Sequence, residues 1–287
     1  MIPPPFAYHA PRSVGEALTL LSQLGEEAKL LAGGHSLLPM MKLRFASPGA
    51  LIDLNRIPEL RGIRDEGAII RIGAMSTESD LINSAILHAR VPLLPEAARL
   101  IGDPQVRNRG TIGGDIAHGD PGNDHPALAM ALDATFVLQG PAGERRVQAV
   151  DFFHGTYATD LAAEEILTAI LVPAFTRGTG YAYLKLKRKT GDWATAGAAV
   201  VMHLVDGLVT SARIALTNVA PTALRATEAE TALIGHAPTD SVLSTVSGIV
   251  GRICDPAEDL RGDVDYKRAM AAEMTRRAIR VAAARCR

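Results

Sequence analysis

Cysteine is nearly missing from this chain: 287 residues hold two, Cys254 and Cys286. Two thiols cannot supply the ligand set of an iron–sulfur cluster or a cysteine-rich zinc site, and so few of them fit a reducing compartment. There is no excess charge of either sign, since 30 basic residues meet 31 acidic ones for a net charge of −1. A nucleic acid is therefore a poor candidate as main partner, because neutralising phosphates needs a basic surface. No apolar run approaches the roughly 18 residues that would suggest a membrane span. The opening Met-Ile-Pro-Pro-Pro-Phe has neither a basic leader nor an apolar stretch, so no signal peptide is expected. Also missing are a Gly-x-Ser-x-Gly elbow, a Cys–His pair, the six-residue dinucleotide fingerprint and the Walker loop. Nothing left resembles a self-sufficient catalytic centre. What is present in quantity is apolar residues, 47% of the chain, enough for substantial cores in two domains or one large one.

The chain reads as a small α/β unit, a longer α+β stretch and an antiparallel meander with helices. Ser13 and Glu16 have the spacing of a capping box, Gly25 closes the helix, and Val14, Ala17, Leu18, Leu21 and Leu24 form its apolar stripe. Short buried strands are expected at 28–32 and 51–54, with a helix starting near Leu37. Further strands are expected near 68–72, 136–138, 146–147 and 166–172, and helices over 77–87 and 94–101. The stretch from Asp103 to Asp124 is rich in Gly, Asp, Asn and His and reads as a long ordered loop. After Gly178, strands are expected over 181–187, 196–204 and 209–216, then helices over 223–233, 242–253 and 266–285. The last is basic, with a solvated face or a partner surface as the alternatives. The domain boundary is placed near Arg177.

Two glycine pairs carry the clearest chemical signal: Ala32-Gly33-Gly34-His35-Ser36 and Thr111-Ile112-Gly113-Gly114-Asp115. Consecutive backbone N–H groups in such turns form an anion-binding concavity, and the Ser36 hydroxyl adds a donor. An ordinary strand-to-helix turn is the competing reading of each. The polar stretch that follows offers His118, Asp120, Asp124 and His125 as metal ligands, but without the histidine spacing of helix-borne zinc sites. Asp124 is better placed to accept hydrogen bonds from a cofactor. In Lys185-Leu-Lys-Arg-Lys189 the three lysines share a strand face. Either they decorate a solvated edge or one of them reaches an electron-rich cofactor. Trp193 follows a glycine turn and either stacks on a planar ring or packs in the core.

Together these segments resemble the FAD-binding medium subunits of molybdenum-containing carbon monoxide dehydrogenases, within the xanthine-oxidase-type molybdenum hydroxylases. The resemblance rests on both glycine motifs, on Lys185 to Ala196, on Asp103-Pro-Gln-Val-Arg107 and on Gly119-Asp-Pro-Gly-Asn-Asp124. It implies an α+β fold: an FAD-binding domain of the vanillyl-alcohol-oxidase (PCMH-like) type over 1–177, with subdomains 1–54 and 55–177, then a sheet-and-helix domain over 178–287. By the same resemblance, the FAD diphosphate is held by Ala32, Gly33, Gly34, His35 and Ser36 and by Thr111, Ile112, Gly113, Gly114 and Asp115. Asp124, Leu167, Lys185 and Trp193 belong to the flavin side, and Lys29 is a further candidate. No residue is assigned as catalytic or as a metal ligand, because the chain is expected to relay electrons through FAD. The implied partners are a large subunit with a molybdenum cofactor and copper and a small subunit with two [2Fe–2S] clusters, in a dimer of heterotrimers that passes electrons to a quinone-type acceptor. The expected location is the cytoplasm, with peripheral contact to the inner face of the membrane. The alternatives are the flavin subunit of a purine, nicotinate or aldehyde hydroxylase and a non-enzymatic nucleotide-binding assembly protein.

Overall fold

The structure is a computed structural model and describes residues 2–286. It is an α+β protein of three main sheets. The first contains β1 (Ala7–His9), β2 (Ala28–Leu31) and β3 (Ala50–Asp53), all parallel, in the order β1-β3-β2. The helix Val14–Leu24 makes the crossover from β1 to β2. Ser13 caps it by accepting from the Glu16 amide at 3.1 Å, but the Glu16 carboxylate accepts from the Arg12 amide at 2.8 Å. The expected box therefore closes one residue early. Ala17 and Leu21 turn inward against Ala28, Ile52 and Leu54.

The second sheet is antiparallel and includes β4 (Ile63–Asp65), β5 (Ile69–Gly73), β6 (Thr135–Gly140) and β7 (Gly143–Gln148). A small ribbon of β8 (Phe153–Gly155) and β9 (Ala158–Thr159) precedes β10 (Ile166–Pro173), which enters the centre and gives the order β4-β5-β10-β6-β7. Alternate residues Ile70 and Ile72, Phe136 and Leu138, and Ile170 and Val172 are buried in one core with Leu81, Leu94, Ile112, Ile116 and Leu128 of the intervening helices.

The third sheet runs β11 (Thr179–Leu186), β12 (Ala196–Val205), β13 (Leu208–Thr217) and β14 (Leu224–Arg225) as an antiparallel meander. Asp206 and Gly207 turn between β12 and β13 with φ of 51° and 78°, the left-handed pair that a tight hairpin needs. The helix Val264–Arg285 covers this sheet and buries Ala271, Ala278, Ile279 and Ala282. It lies so close that a β-carbon on Gly180 would come 2.1 Å from the Ala282 carbonyl oxygen. One face of this basic helix is thus core, while Arg276 and Arg277 pair with Glu273 on the other.

Three expectations need correction. The stretch 103–124 winds into the helices Pro104–Arg107 and Ile112–His118, because Asp103 and Thr111 cap them by accepting from the amides of Val106 and Gly114. Capping outweighs the glycine-rich composition there. The helix expected over 77–87 breaks into Glu78–Asn83 and Ala85–Arg90, with Ser84 capping the second. The helix expected from Ala223 starts at Thr227, since Leu224–Arg225 pairs with β13 instead. No helix among the described residues is long and apolar enough to cross a membrane.

Candidate functional site

The two glycine motifs meet. A β-carbon on Gly33 would stand 2.3 Å from the Arg109 carbonyl oxygen and 2.9 Å from the Gly110 Cα, and one on Gly114 would reach the Ala32 Cβ at 3.3 Å. Backbone therefore packs on backbone where 30–36 passes 109–115. Their amides are used differently. Those of Ile112, Gly113, Gly114 and Asp115 donate to the Ser76 carbonyl, the Ala74 carbonyl, the Thr111 hydroxyl and the Thr111 carbonyl. The amides of Gly34, His35 and Ser36 find no acceptor among the described residues. The first loop thus offers a run of free donors, and the second is a rigid wall against it. That wall is tied to the second sheet: Gly113 donates to Ala74, and Ala74 donates to Thr168 on β10 at 3.0 Å. The first loop is anchored too, since Asn55 Nδ2 donates to the Ala32 carbonyl at 3.0 Å and is itself held by Asp53, which accepts from the Tyr8 hydroxyl.

Behind the second loop lies a buried charged cluster. Lys185, on β11, and Asp124, at the start of the helix Asp124–Ala131, are 2.7 Å apart with side chains 2% and 5% exposed. The Tyr183 hydroxyl donates to the same carboxylate. His125 Nε2 lies 2.9 Å from Glu78, both fully enclosed, and the His125 amide donates to the Asp115 carboxylate at 3.3 Å. Burial alone would push the His125 imidazole down, but the Glu78 charge and hydrogen bond hold it up at about 9. Asp115 is half-buried at the edge of this cluster; desolvation pushes it up to about 7, with Glu78 and Asp124 adding to it and His125 opposing it. Burial, then the Asp124 charge, raises the Tyr183 phenol well above its ordinary range.

The candidates from the sequence fall into three groups. Ala32 to Ser36, Thr111 to Asp115, Asp124 and Lys185 come together. Asp124 and Lys185, however, engage each other. The lysine face is solvated only at its far end: Lys185 is buried and Lys187 donates to the Leu100 carbonyl at 3.1 Å, while Lys189 is exposed. Trp193 flanks the site: it is 52% exposed, so the core-packing alternative fails. Its Nε1 approaches Asn123 Oδ1 at 3.4 Å, and Arg261 lies over its ring. Leu167 and Lys29 stand apart. Leu167 is buried in the second-sheet core one residue before Thr168, and Lys29 is exposed on β2. Of the residues weighed as metal ligands, His118 packs on Tyr157, His125 takes Glu78 and Asp124 takes Lys185. Sequence reasoning missed Glu78, Asn55 and Tyr183. Tyr183 was within reach, because it lies two residues before Lys185 on the same strand face.

Two family descriptions cover nearly the whole chain: "FAD binding domain in molybdopterin dehydrogenase" over 4–175 and "CO dehydrogenase flavoprotein C-terminal domain" over 181–282. The carbon monoxide dehydrogenase medium chain of Hydrogenophaga pseudoflava is 65% identical over the full length of both chains. The chain belongs to the carbon monoxide dehydrogenase medium-chain family. The medium chain of Afipia carboxidovorans is 50% identical, again over the full length of both. A solved structure of the Hydrogenophaga pseudoflava carbon monoxide dehydrogenase contains a chain that superposes with a TM-score of 0.99 at 67% identity, covering all of both chains. As a medium chain of this family, the protein has an FAD-binding fold and is an oxidoreductase subunit. The residues present fit that cofactor: free amides at Gly34, His35 and Ser36 are a donor set for a diphosphate, and glycine at 33 and 114 keeps the seam free of side chains.

Proposed function

We propose that this chain is the FAD-carrying electron relay of a carbon monoxide dehydrogenase. Full-length identity of 65% to a carbon monoxide dehydrogenase medium chain carries the reading, and the paired glycine loops support it. In the proposed assembly a large subunit with molybdenum and copper oxidises CO with water to CO2, releasing two protons and two electrons. A small subunit with two [2Fe–2S] clusters brings the electrons to this chain, and a quinone-type molecule takes them away. The assembly is a dimer of such heterotrimers. The two cysteines here, Cys254 buried and Cys286 partly so, agree with clusters housed on another chain.

When bound, FAD supplies the ability to take electrons singly and release them in pairs. The protein's part is to bind and orient. Gly34, His35 and Ser36 donate to the diphosphate, and Thr111 to Asp115 back that loop. Asp124, Lys185 and Trp193 border the flavin side, with Leu167 supporting from the core and Lys29 at the periphery. The proposed domain of FAD binding runs over 1–177, in subdomains 1–54 and 55–177, and 178–287 closes the site with β11. The location in keeping with this role is the cytoplasm, at the inner face of the membrane.

Coexpression with the two partner subunits, followed by flavin removal, tests the relay. CO-dependent dye or quinone reduction should stop and should return with added FAD. Undiminished reduction without flavin would overturn the assignment.

A further inference from the structure

Asp115 sits at the seam of the two loops as a carboxylate with no cation of its own. Five charged groups form the cluster: the carboxylates of Asp115, Asp124 and Glu78 against the cations of Lys185 and protonated His125. Lys185 is taken by Asp124 at 2.7 Å and His125 by Glu78 at 2.9 Å. Asp115 is the carboxylate left over. One of its oxygens, Oδ2, accepts from the His125 amide at 3.3 Å. No donor among the described residues reaches the other, Oδ1. The same residue ends the second glycine motif, one position after Gly114, whose α-carbon faces Ala32 of the first loop. An ionised Asp115 would add like charge to any diphosphate held by the amides of Gly34, His35 and Ser36.

We propose that Asp115 is a neutral carboxylic acid in the FAD complex, so that binding of the dinucleotide to the ionised protein takes up one proton at this side chain. The proposal rests on the FAD reading above. The balance is simple: ionised Asp115, FAD and one proton give the complex with Asp115 protonated, and no other bond changes. The paired ions behind it have a positioning role. Glu78 holds His125 in place, the His125 amide holds Asp115, and the surplus carboxylate is left as the group that accepts the proton. The ionisable groups facing Asp115 are Glu78 from the helix Glu78–Asn83, Asp124 and His125 from the helix Asp124–Ala131, and Tyr183 and Lys185 from β11. His35, on the first loop, is exposed.

The direction follows from the charges. Burial, with the Glu78 and Asp124 charges beside it, lifts Asp115 from its ordinary 3.8 to about 7, and Glu78 holds the His125 imidazole up at about 9. A dinucleotide's negative charge moves the Asp115 equilibrium further towards the acid. From about pH 7 up to the pH at which Asp115 ionises in the complex, each pH unit should therefore weaken FAD tenfold, the value for one linked proton, and below about pH 7 affinity should level off.

The test is FAD titration of the full-length chain, freed of flavin, followed by quenching of the single tryptophan, with calorimetry in two buffers of different ionisation enthalpy. The expected results are the tenfold slope and uptake of about one proton per FAD within that window. Asp115→Asn, which keeps a neutral donor, should bind with flat pH dependence and should exceed the unsubstituted chain at the alkaline end. His35→Gln should retain the slope. Proton uptake in the unsubstituted chain needs no variant, so a misfolded Asp115→Asn protein leaves the test intact. FAD binding with no pH dependence and no proton uptake would overturn the Asp115 proposal alone. Absence of FAD binding at every pH, in the free chain and in the assembled complex, would overturn the FAD reading and this proposal with it.

Discussion

Replacing Gly33 with alanine adds one carbon at the tightest point between the two loops. That carbon would lie 2.3 Å from the Arg109 carbonyl oxygen and 2.9 Å from both the Arg109 carbonyl carbon and the Gly110 Cα, where ordinary contact starts at 3.4 Å. All three neighbours are backbone, so no side chain can swing away. The loops must separate by about 1 Å, the gap between those two distances. Such overpacking costs roughly 1–3 kcal/mol. If the strain appears only when the loops close on the cofactor, FAD binding weakens about 5- to 150-fold. Gly114→Ala is the internal control. Its new carbon would meet the Thr111 Oγ1 at 2.8 Å and the Ala32 Cβ at 3.3 Å; the hydroxyl can turn away, at the cost of its cap on the Gly114 amide, whereas the backbone around Gly33 cannot. The assay is the FAD content of purified protein by visible absorption, with the melting temperature measured alongside. Gly33→Ala should lose more flavin than Gly114→Ala. Full flavin occupancy and an unchanged melting temperature in Gly33→Ala would refute the description of the seam.

Four further outcomes follow from the geometry. Lys185→Met leaves Asp124 buried without its cation and should lower stability by about 3–5 kcal/mol in urea unfolding, with Asp124→Asn/Lys185→Met recovering part of the loss. His125 has its imidazole raised above its ordinary value of 6.5 to about 9. Its stabilisation is therefore fully present below the lower value and lost as pH rises through the higher one, so the flavin-free chain should melt at lower temperature across that range, and His125→Gln should reduce the dependence to what Asp115 contributes. Gly180→Ala would drive a carbon to 2.1 Å from the Ala282 carbonyl oxygen; it should loosen the terminal helix, read as faster amide exchange over 264–285, while leaving exchange in the first sheet unaltered. Trp193 is the single tryptophan and flanks the site through Asn123, so its emission should be quenched by FAD; unquenched emission at full occupancy would remove it from the site.

Much of the site was legible because it is made of backbone. Glycine pairs after buried strands mark places where chain passes close to chain, and that signal survives without knowledge of the fold. The partition of labour between the pairs was not legible, because it depends on Ser76 and Ala74, which take the amides of Ile112 and Gly113. Composition misled over 103–124, where capping by Asp103 and Thr111 made helices out of a glycine-rich stretch. The meander of the third sheet was read closely, since its alternation and its Asp206-Gly207 turn are local. β1 and β4 escaped notice because three-residue strands carry no period of their own and exist through their partners. The burial of Lys185 could not be seen either: a lysine on a strand looks solvated until Asp124, 61 positions earlier in the chain, is folded against it.

The central claim is that electrons from CO reach an FAD held by this chain. Adding CO to the assembled complex under anaerobic conditions and following visible absorption tests it directly. The account predicts that the iron–sulfur and flavin bands bleach together, and that Gly33→Ala complexes depleted of FAD bleach at the clusters only and reduce no quinone. Bleached clusters beside a flavin that stays oxidised in the unsubstituted complex would contradict it.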